Sequence, residues 1–571
     1  MEQHNKTAIA GTTSAHVQCR EIVEIMIAAG VRHAVVSPGS RNAPLLIALA
    51  REPRISKWVI TDERSAAFAA IGIAQRLLQP VMIVCTSGSA LLDYAPAIAE
   101  AYYRQIPIIA VSADRPREWI DQNDSQTIRQ DKALAAIVKQ SYDLPTSCIG
   151  EQDRWYANRL INDAAITATT APMGPVHINV PLADPLCETV PVASPVRIIK
   201  HGATAPTVDG ATIQQLATEL AGTERVMIVA GFHHPSHRLN AALSGIAQRG
   251  NVAILTETIS NLHDEQFISA IDRTLGAMPS GKARQYAPQL LITMGGSLVS
   301  KVAKKFLRRY PAAQEWRVGT DPCTIDTMQH LTRRIDTPPE LFFGQLLNAL
   351  PPEQSLAPGY ARRWQQLASE AARWHEQYVA DAPWCDLKAF SVIIPSIPAH
   401  YTLHLSNGTC IRYAQLFGTA IKQPCYCNRG TSGIDGSTST ALGTTLVAPA
   451  GETALLVTGD MSFGYDLAGI SSQYNSAKLK IIVMCNGGGN IFRFLNGTSS
   501  LPELERYFEV ARPDRTRAIA AAFEFEYFEA SDEAALRQAL PAFYACQRQA
   551  LLAVRTPAQT NADVLRRYFG M

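Results

Sequence analysis

The sequence has no long apolar run and almost no net charge. No apolar segment approaches the roughly 18 residues that a membrane-spanning helix needs. The formal net charge of +2, without a long basic run, makes nucleic acids and anionic membrane surfaces poor candidate partners. The polar stretch from Met1 to His16 contains no apolar core of an export signal, so a cytoplasmic location is expected.

Cysteine pairing is also missing. The eleven cysteines are scattered, without a Cys-x-x-Cys pair, and only Cys425 and Cys427 lie close together. This usage favours free thiols in a reducing compartment over a zinc site or disulfides. The chain is long. Because 571 residues exceed what one hydrophobic core holds, several domains are expected. The 47% hydrophobic and 18% charged residues are typical of a globular protein.

The most informative stretch surrounds Asp460. The apolar runs Ala454–Val457 and Ile481–Met484 predict two buried strands, and helical spacing over 467–477 predicts a helix between them. This is a βαβ unit in which Gly459-Asp460-Met461-Ser462 follows one strand and Asn486-Gly487-Gly488 follows the next. Ligands bind beyond the carboxyl ends of such strands.

The chemistry of these two side chains favours a metal-bound phosphate. Asp460 and Asn486, 26 positions apart, offer the hard oxygens that a divalent cation prefers. The helix start after Asp460 offers backbone N–H groups to an anion. On this stretch alone, the alternative is an ordinary nucleotide-binding βαβ unit in which Asp460 only caps a helix.

Similar units precede this one. In the first section, polar clusters follow the ends of predicted strands, which is typical of a parallel α/β domain. The strands are His33–Val36, Trp58–Ile60, Val81–Cys85, Pro107–Ala113 and Val176–Pro181. The middle section repeats the pattern at Val226–Gly231, Val252–Leu255 and Leu290–Gly296. Linkers are predicted at Pro191–Pro206 and Pro351–Gly359. The expected fold class is therefore α/β, with three consecutive doubly wound, mainly parallel-sheet domains.

Together these residues resemble the thiamine diphosphate enzyme superfamily with the pyruvate decarboxylase-like fold. More narrowly, five motifs in order resemble the 2-succinyl-5-enolpyruvyl-6-hydroxy-3-cyclohexene-1-carboxylate (SEPHCHC) synthase family of menaquinone biosynthesis. The motifs are Ser37-Pro38-Gly39-Ser40-Arg41, Asp62-Glu63-Arg64, Ala113-Asp114-Arg115-Pro116, Gln126-x-Ile128-Arg129-Gln130 and Asn428-Arg429-Gly430-x-Ser432-Gly433-Ile434-Asp435-Gly436. The resemblance covers nearly the whole chain and implies a pyrimidine-binding domain (1–193), a central domain (194–378) and a diphosphate-binding domain (379–571).

The resemblance also implies a thiamine diphosphate site with Mg²⁺ or Mn²⁺. Asp460, Asn486 and the carbonyl of Gly488 would be the metal ligands. The cofactor-binding residues implied are Glu63, Thr86, Asn407, Ile434, Gly459, Asp460, Met461, Ser462, Asn486, Gly488, Ile491 and Phe492.

Two of these residues have particular roles in the resembled family. Glu63 would be the catalytic carboxyl that hydrogen-bonds the cofactor's pyrimidine ring, and Ile434 the apolar wedge that keeps the cofactor bent. For each residue a structural interpretation is open. Glu63 could simply begin a helix, where acids are favoured, and Ile434 could belong to the core.

The implied reaction is decarboxylation of 2-oxoglutarate followed by 1,4-addition of the succinyl-semialdehyde unit to isochorismate. Two dicarboxylates need several fixed cations, preferably arginines. The substrate-binding residues implied are Ser40, Arg41, Arg115, Gln126, Lys301, Arg412 and Arg429. Any one of these arginines alone would more often be a solvated surface residue.

Two positions depart from the family pattern. Gly408 stands where relatives often have Ser, and Val302 where some have Arg. An acetolactate synthase or 2-oxoacid decarboxylase remains an alternative, as does a nucleotide-binding regulatory or structural protein. The resemblance further implies a homo-oligomer, dimer or tetramer, with active sites between subunits.

Overall fold

The computed structural model describes residues 11–192, 195–202, 205–351, 359–495 and 497–570. Residues 193–194, 203–204 and 352–358, which include parts of both predicted linkers, lie outside the described residues. By their internal contacts the described residues form two compact units. The first comprises those within Met1–Ala203, Gly430–Pro449 and Asp466–Asn475, and the second those within Thr204–Arg429, Ala450–Tyr465 and Ser476–Met571.

A parallel sheet forms the core of the first unit. The strands of this unit are β1 (Thr12–Ser14), β2 (His33–Val36), β3 (Ser56–Val59), β4 (Val81–Cys85), β5 (Ile108–Asp114), β6 (Ser141–Asp143), β7 (Val176–Pro181) and β8 (Thr189–Pro191). The sheet has the order β3-β2-β4-β5-β7-β6, and β1 pairs separately with β8 in antiparallel fashion. Every residue of β4 and β5 is buried, as expected of strands covered on both faces.

The second unit contains two further parallel sheets. The first has the order β10-β9-β11-β12-β13, and the second β15-β14-β16-β17-β19-β18. Their strands are β9 (Val226–Ala230), β10 (Val252–Thr256), β11 (Leu290–Met294), β12 (Gln314–Val318), β13 (Arg333–Ile335), β14 (Tyr401–Leu405), β15 (Cys425–Tyr426), β16 (Thr453–Gly459), β17 (Leu479–Cys485), β18 (Glu526–Ala530) and β19 (Ala550–Arg555).

Helices connect the strands of all three sheets. They are α1 (Val17–Ala28), α2 (Ala43–Ala50), α3 (Glu63–Leu77), α4 (Ser89–Asp93), α5 (Ala95–Tyr103), α6 (Glu151–Thr169), α7 (Gly210–Ala221), α8 (His237–Ala247), α9 (Ile271–Gly276), α10 (Ala283–Tyr286), α11 (Lys301–Arg309), α12 (Pro339–Ala349), α13 (Tyr360–Asp381), α14 (Asp386–Ser396), α15 (Thr409–Leu416), α16 (Ser437–Leu446), α17 (Asp460–Tyr465), α18 (Thr516–Ala522), α19 (Glu533–Ala545) and α20 (Ala558–Tyr568). None of the helices in the described ranges combines the length and apolar character needed to span a bilayer.

Each of the three parallel sheets contains a point where the strand order reverses. The strand that follows β2, β9 or β14 in sequence pairs on one side of it, and the strand after that pairs on its other side. The reversals lie between β2 and β4, β9 and β11, and β14 and β16. The carboxyl ends of the strands beside such a point form the usual ligand crevice of an open α/β sheet.

The predicted α/β class with several parallel-sheet domains is confirmed. The predicted helix over 467–477 is wrong, because only a short 3₁₀ turn, Leu467–Ile470, forms there. Tyr474 instead packs its ring at 5.2 Å from that of Trp58, and its hydroxyl accepts a bond from the Val59 N–H at 2.9 Å. The domain boundaries at 193 and 378 stay predictions.

Candidate functional site

The ends of β16 and β17 bring Asp460 and Asn486 to one edge of a sheet. The two strands are parallel neighbours, with Gly459 opposite Met484. Asp460 follows β16 directly, and Asn486 follows β17. The Oδ2 atom of Asp460 accepts hydrogen bonds from the N–H groups of Gly487 at 2.9 Å and Gly488 at 3.1 Å. These two bonds tie the strand ends together.

The remaining side-chain oxygens at this edge fit a divalent cation. Oδ1 of Asp460 and Oδ1 of Asn486 are buried and have no hydrogen-bond partner among the described residues. A buried oxygen without a partner costs free energy unless it binds something. Burial raises the pKa of Asp460 to about 6, and a bound cation would favour its ionised form. These are the hard ligands that Mg²⁺ and Mn²⁺ take.

The turn after Asn486 depends on glycine. Gly487 has a φ of +91° and Gly488 a φ of +131°, a region that other residues avoid. A Cβ atom on Gly488 would also lie 2.4 Å from the carbonyl oxygen of Glu509. Ile491 and Phe492 follow in a 3₁₀ turn, where the Phe492 ring packs at 5.6 Å from that of Phe508.

A buried polar network that sequence analysis missed lies behind Asn486. Asp386, at the start of α14, accepts bonds from Asn486 Nδ2 at 2.8 Å and from Thr556 Oγ1 at 2.5 Å. The Asp386 N–H donates to Asn561 Oδ1 at 2.7 Å, and Asn561 Nδ2 donates to Thr556 Oγ1 at 3.2 Å. Burial raises the pKa of Asp386, and the hydrogen bonds that its carboxylate accepts from Thr556 and Asn486 oppose that shift.

Asn407 lies at the end of the neighbouring strand β14. Its Nδ2 donates to the carbonyl of Asn428 at 2.5 Å, and its Oδ1 accepts from Arg429 Nη1 at 3.0 Å. Ser406 Oγ accepts from the Gly459 N–H at 3.3 Å, so the ends of β14 and β16 are joined. Gly408 has a φ of +97°, which explains a glycine at this position in physical terms.

Arg412 lies on α15 within reach of other charged groups of the second unit. Burial lowers its pKa, as does Arg429, whereas Asp272 and Glu257 raise it. The fully buried Glu257 accepts bonds from the N–H groups of Val299 at 2.8 Å and Ser300 at 2.7 Å, and from Gln415 Nε2 at 3.2 Å. It therefore joins α15 to the turn before α11, whose first residue, Lys301, is exposed.

In the first unit, the carboxyl ends of β2 to β5 carry another group of predicted residues. Arg41 is buried; its Nη1 donates to the Leu182 carbonyl at 3.0 Å and lies 3.5 Å from an Asp184 carboxylate oxygen. Thr86 is buried, and its Oγ1 has no hydrogen-bond partner among the described residues. Ser40 lies in the loop after β2, where a Cβ atom on Gly39 would meet the Thr86 side chain at 2.3 Å.

Glu63 begins α3, behind a capping residue. Asp62 accepts a bond from the Ser65 N–H at 2.7 Å and so caps the helix. Burial raises the pKa of Glu63, and the charges of Asp93 and Asp62 raise it further. Helix initiation is thus already served by Asp62, which leaves the half-buried Glu63 carboxyl available for a ligand.

Arg115 and Gln126 lie together after β5. The Arg115 Nη2 donates to the Ser125 carbonyl at 3.2 Å, and its Nε lies 3.4 Å from Asp124. Gln126 has a φ of +57°, and its backbone lies against Gly88 in the loop after β4.

The loop that carries Ile434 is held within the first unit. The fully buried Glu100 accepts bonds from the N–H groups of Gly430 at 2.9 Å and Thr431 at 2.7 Å. Beyond Ile434, helix α16 packs so closely on α3 that a Cβ on Gly443 would lie 2.0 Å from the Ala69 carbonyl oxygen. Ile434 is therefore anchored to the helix that Glu63 begins.

The predicted site residues divide between the units. The first unit holds Ser40, Arg41, Glu63, Thr86, Arg115, Gln126 and Ile434. The second holds Lys301, Asn407, Arg412, Arg429, Gly459, Asp460, Met461, Ser462, Asn486, Gly488, Ile491 and Phe492. Sequence reasoning missed the buried Asp386, Glu100 and Glu257, because an isolated acid in a sequence gives no signal of its partners.

Comparisons with known proteins identify the family. Residues 20–134 match the family described as thiamine pyrophosphate enzyme, N-terminal TPP binding domain. The benzoylformate decarboxylase structure from Polynucleobacter necessarius has a TM-score of 0.72 and covers 95% of this chain and 99% of its own, at 15% identity, so it shows the fold alone.

Relatives of higher identity carry a more specific name. The 2-succinyl-5-enolpyruvyl-6-hydroxy-3-cyclohexene-1-carboxylate synthase of Porphyromonas gingivalis is 42% identical over 95% of this chain and 94% of its own. The synthase of the same name from Flavobacterium psychrophilum is 38% identical over 96% of this chain and 98% of its own. The chain belongs to the 2-succinyl-5-enolpyruvyl-6-hydroxy-3-cyclohexene-1-carboxylate synthase family.

Proposed function

We propose that the protein is a SEPHCHC synthase of menaquinone biosynthesis. It decarboxylates 2-oxoglutarate and adds the remaining succinyl-semialdehyde unit to isochorismate by 1,4-addition. Two buried oxygens, Oδ1 of Asp460 and Oδ1 of Asn486, have no partner in the described part of the chain, and they carry the cofactor assignment because they would suit the divalent cation that accompanies a diphosphate. The near-full-length relatives supply the reaction.

The residues have separate tasks in this proposal. When bound, thiamine diphosphate would supply a nucleophilic carbon and an electron sink for the decarboxylation of the keto acid. Asp460, Asn486 and the Gly488 carbonyl hold Mg²⁺ or Mn²⁺. Glu63 holds a proton at the pyrimidine nitrogen, and its raised pKa keeps that proton available. Ile434 provides an apolar contact from its anchored loop.

The other residues assigned to the cofactor line its two ends. Thr86 serves the pyrimidine end with its hydroxyl, which has no hydrogen-bond partner among the described residues. The diphosphate end and the neighbouring ring are served by Asn407, Gly459, Met461, Ser462, Ile491 and Phe492. The carboxylates of the substrates are bound by Ser40, Arg41, Arg115, Gln126, Lys301, Arg412 and Arg429, because charge-assisted bonds from arginine suit carboxylates best.

The proposal includes a homo-oligomer, dimer or tetramer, whose active sites combine residues of two subunits. It also includes a cytoplasmic location, where the eleven thiols, all free in the structure, would stay reduced.

Two measurements test the proposal. Thiamine diphosphate should bind in the presence of Mg²⁺ and be lost with EDTA, and the lack of such binding would favour a protein without catalysis. The holoenzyme should release CO₂ from 2-oxoglutarate far faster than from pyruvate. Preference for pyruvate would instead indicate an acetolactate synthase or 2-oxoacid decarboxylase.

A further inference from the structure

Asp386 stands out among the buried acids of the second unit, because it contacts a predicted metal ligand. Its side chain is almost fully buried, and both its oxygens accept hydrogen bonds. One bond comes from the Nδ2 group of Asn486 and the other from the hydroxyl of Thr556. Asp386 lies 100 positions before Asn486 in the sequence.

The bond from Asn486 has a consequence for the orientation of its amide. The oxygen and nitrogen of an asparagine amide are almost equal in size, so shape alone does not select between the two flipped orientations. A carboxylate can only accept hydrogen bonds. The Asn486 NH₂ group must therefore face Asp386, and a flipped amide would place two acceptors against each other.

The carboxylate is itself held in place. The Thr556 hydroxyl accepts a bond from Asn561, so its own hydrogen is directed to Asp386. The backbone N–H of Asp386 is bound to Asn561 as well. Asp386 therefore does not rotate freely to follow a flipped amide.

We infer that Asp386 is a positioning residue that keeps the oxygen of Asn486 turned toward the metal. This inference rests on the proposed function. Only the oxygen of an asparagine amide ligates Mg²⁺, since its NH₂ group has no lone pair for a cation. The orientation set by Asp386 leaves Asn486 Oδ1 without a partner among the described residues, in the same state as Asp460 Oδ1.

The test measures the Kd of Mg²⁺ by calorimetry, with saturating thiamine diphosphate and no substrate. In Asp386→Asn the new amide presents either an oxygen or an NH₂ group to Asn486, so the preference for one orientation falls. The Kd should rise about 10- to 100-fold, the usual effect of losing a partner of a metal ligand. The matched control is Asp466→Asn, since Asp466 is a fully buried acid that also accepts on both oxygens, from Ser439 N and Oγ.

A double variant separates orientation from packing. Asp386→Asn combined with Asn486→Asp restores the bond with exchanged partners, and the symmetric carboxylate at 486 offers an oxygen in either orientation. Its Kd should return toward the wild-type value. A double variant that binds no tighter than Asp386→Asn, or a control that weakens Mg²⁺ binding equally, would overturn the inference.

The remaining outcomes are also decisive. An unchanged Kd in Asp386→Asn shows that the amide orients without the carboxylate, and the inference fails while the proposed function stands. Should that variant not fold, Thr556→Val keeps the carboxylate and removes one of its anchors; a raised Kd supports the inference and an unchanged one overturns it. A wild-type protein without Mg²⁺-dependent cofactor binding refutes both.

Discussion

Glu63 and Asp460 are acids whose pKa burial raises, but their surroundings differ. One oxygen of Asp460 accepts from two backbone N–H groups, and the other has no hydrogen-bond partner among the residues that the structure describes. Glu63 lies near Asp62 and Asp93, whose negative charges favour its protonated form. The first arrangement suits a cation, and the second favours the protonated form of a carboxyl group.

Changing Glu63 to Gln should retain cofactor binding and lower kcat by about 10²- to 10⁴-fold, the usual range for one acid–base group. The amide has nearly the same shape but no acidic proton. Steady-state kinetics of the holoenzyme measure the loss. Glu151→Gln is the control, because Glu151 is also the first residue of a helix, α6, and lies outside the predicted site, so kcat should stay close to wild type. Equal losses in both variants would mean that Glu63 only begins α3.

Changing Asp460 to Ala should abolish Mg²⁺-dependent binding of thiamine diphosphate, because the charged ligand is lost. Asp460→Asn is the matched variant, since its amide oxygen can still accept the bonds from Gly487 and Gly488. It should keep the fold, as measured by circular dichroism. Its affinity for the metal should nevertheless be lower than that of the wild type. Unchanged affinity for the cofactor in Asp460→Ala would remove the metal assignment.

Single residues of the proposed metal site could be placed from the sequence only in part. Asp460 and Asn486 follow apolar strands at a characteristic spacing, and the sheet register places both at one edge. Asp386 could not be found this way, because its bond to Asn486 depends on the packing of α14 against distant strands. An acid at the start of a helix is common and needs no such partner.

At the level of elements, α3 and α16 pack in the first unit with their backbones in close approach. A Cβ atom on Gly72 would lie 2.1 Å from the Thr440 carbonyl oxygen, and one on Gly443 would lie 2.0 Å from that of Ala69. These contacts are with backbone, which cannot move aside without shifting a helix. The pair therefore fixes the positions of Glu63 and the Ile434 loop relative to each other.

Gly443→Ala should lower the free energy of unfolding by about 1–3 kcal/mol, the usual cost of overpacking a core. Gly210→Ala at the start of α7 is the control, since an added Cβ would have no packing neighbour within 4 Å in the described ranges. The control should change stability by less than about 0.5 kcal/mol. Thermal unfolding measures the stability of both variants. Equal changes in the free energy of unfolding would show that the α3–α16 contact accommodates the added methyl group.

Elements with continuous apolar runs could be predicted well. The predicted bounds of β2, β4 and β7 agree with the structure. The predicted helix after Asp460 fails because its apolar spacing serves another contact. Leu467, Ile470 and Tyr474 lie in a segment that belongs to the first unit, whereas the strands that flank it in sequence belong to the second. Periodicity shows that such residues are buried but does not show against what.

On the scale of the molecule, the candidate cations are divided between the two units. Arg412 and Arg429 share the second unit with Asp460, whereas Arg41 and Arg115 belong to the first. The keto acid reacts first, so we assign its distal carboxylate to Arg412, which is close in sequence to the proposed metal ligands. We assign the binding of isochorismate to Arg41 and Arg115, together with Gln126 and Lys301.

This division predicts different effects for two variants. Losing one charge-assisted bond costs roughly 1.5–3 kcal/mol, or about 10- to 100-fold in affinity. Arg412→Ala should raise KM mainly for 2-oxoglutarate, and Arg115→Ala mainly for isochorismate. Arg537→Ala, which removes an exposed arginine paired with Glu533, is the control and should change neither. Equal loss of CO₂ release in both site variants, measured without isochorismate, would contradict the division.

The central claim is that one active site joins the remnant of 2-oxoglutarate to isochorismate. The most direct measurement follows CO₂ release and SEPHCHC formation in the same sample of holoenzyme, with each substrate alone and with both. With both substrates, the account predicts that one SEPHCHC forms for each CO₂ released, and that no SEPHCHC forms when either substrate is left out. Sustained CO₂ release with both substrates but without SEPHCHC formation would contradict it.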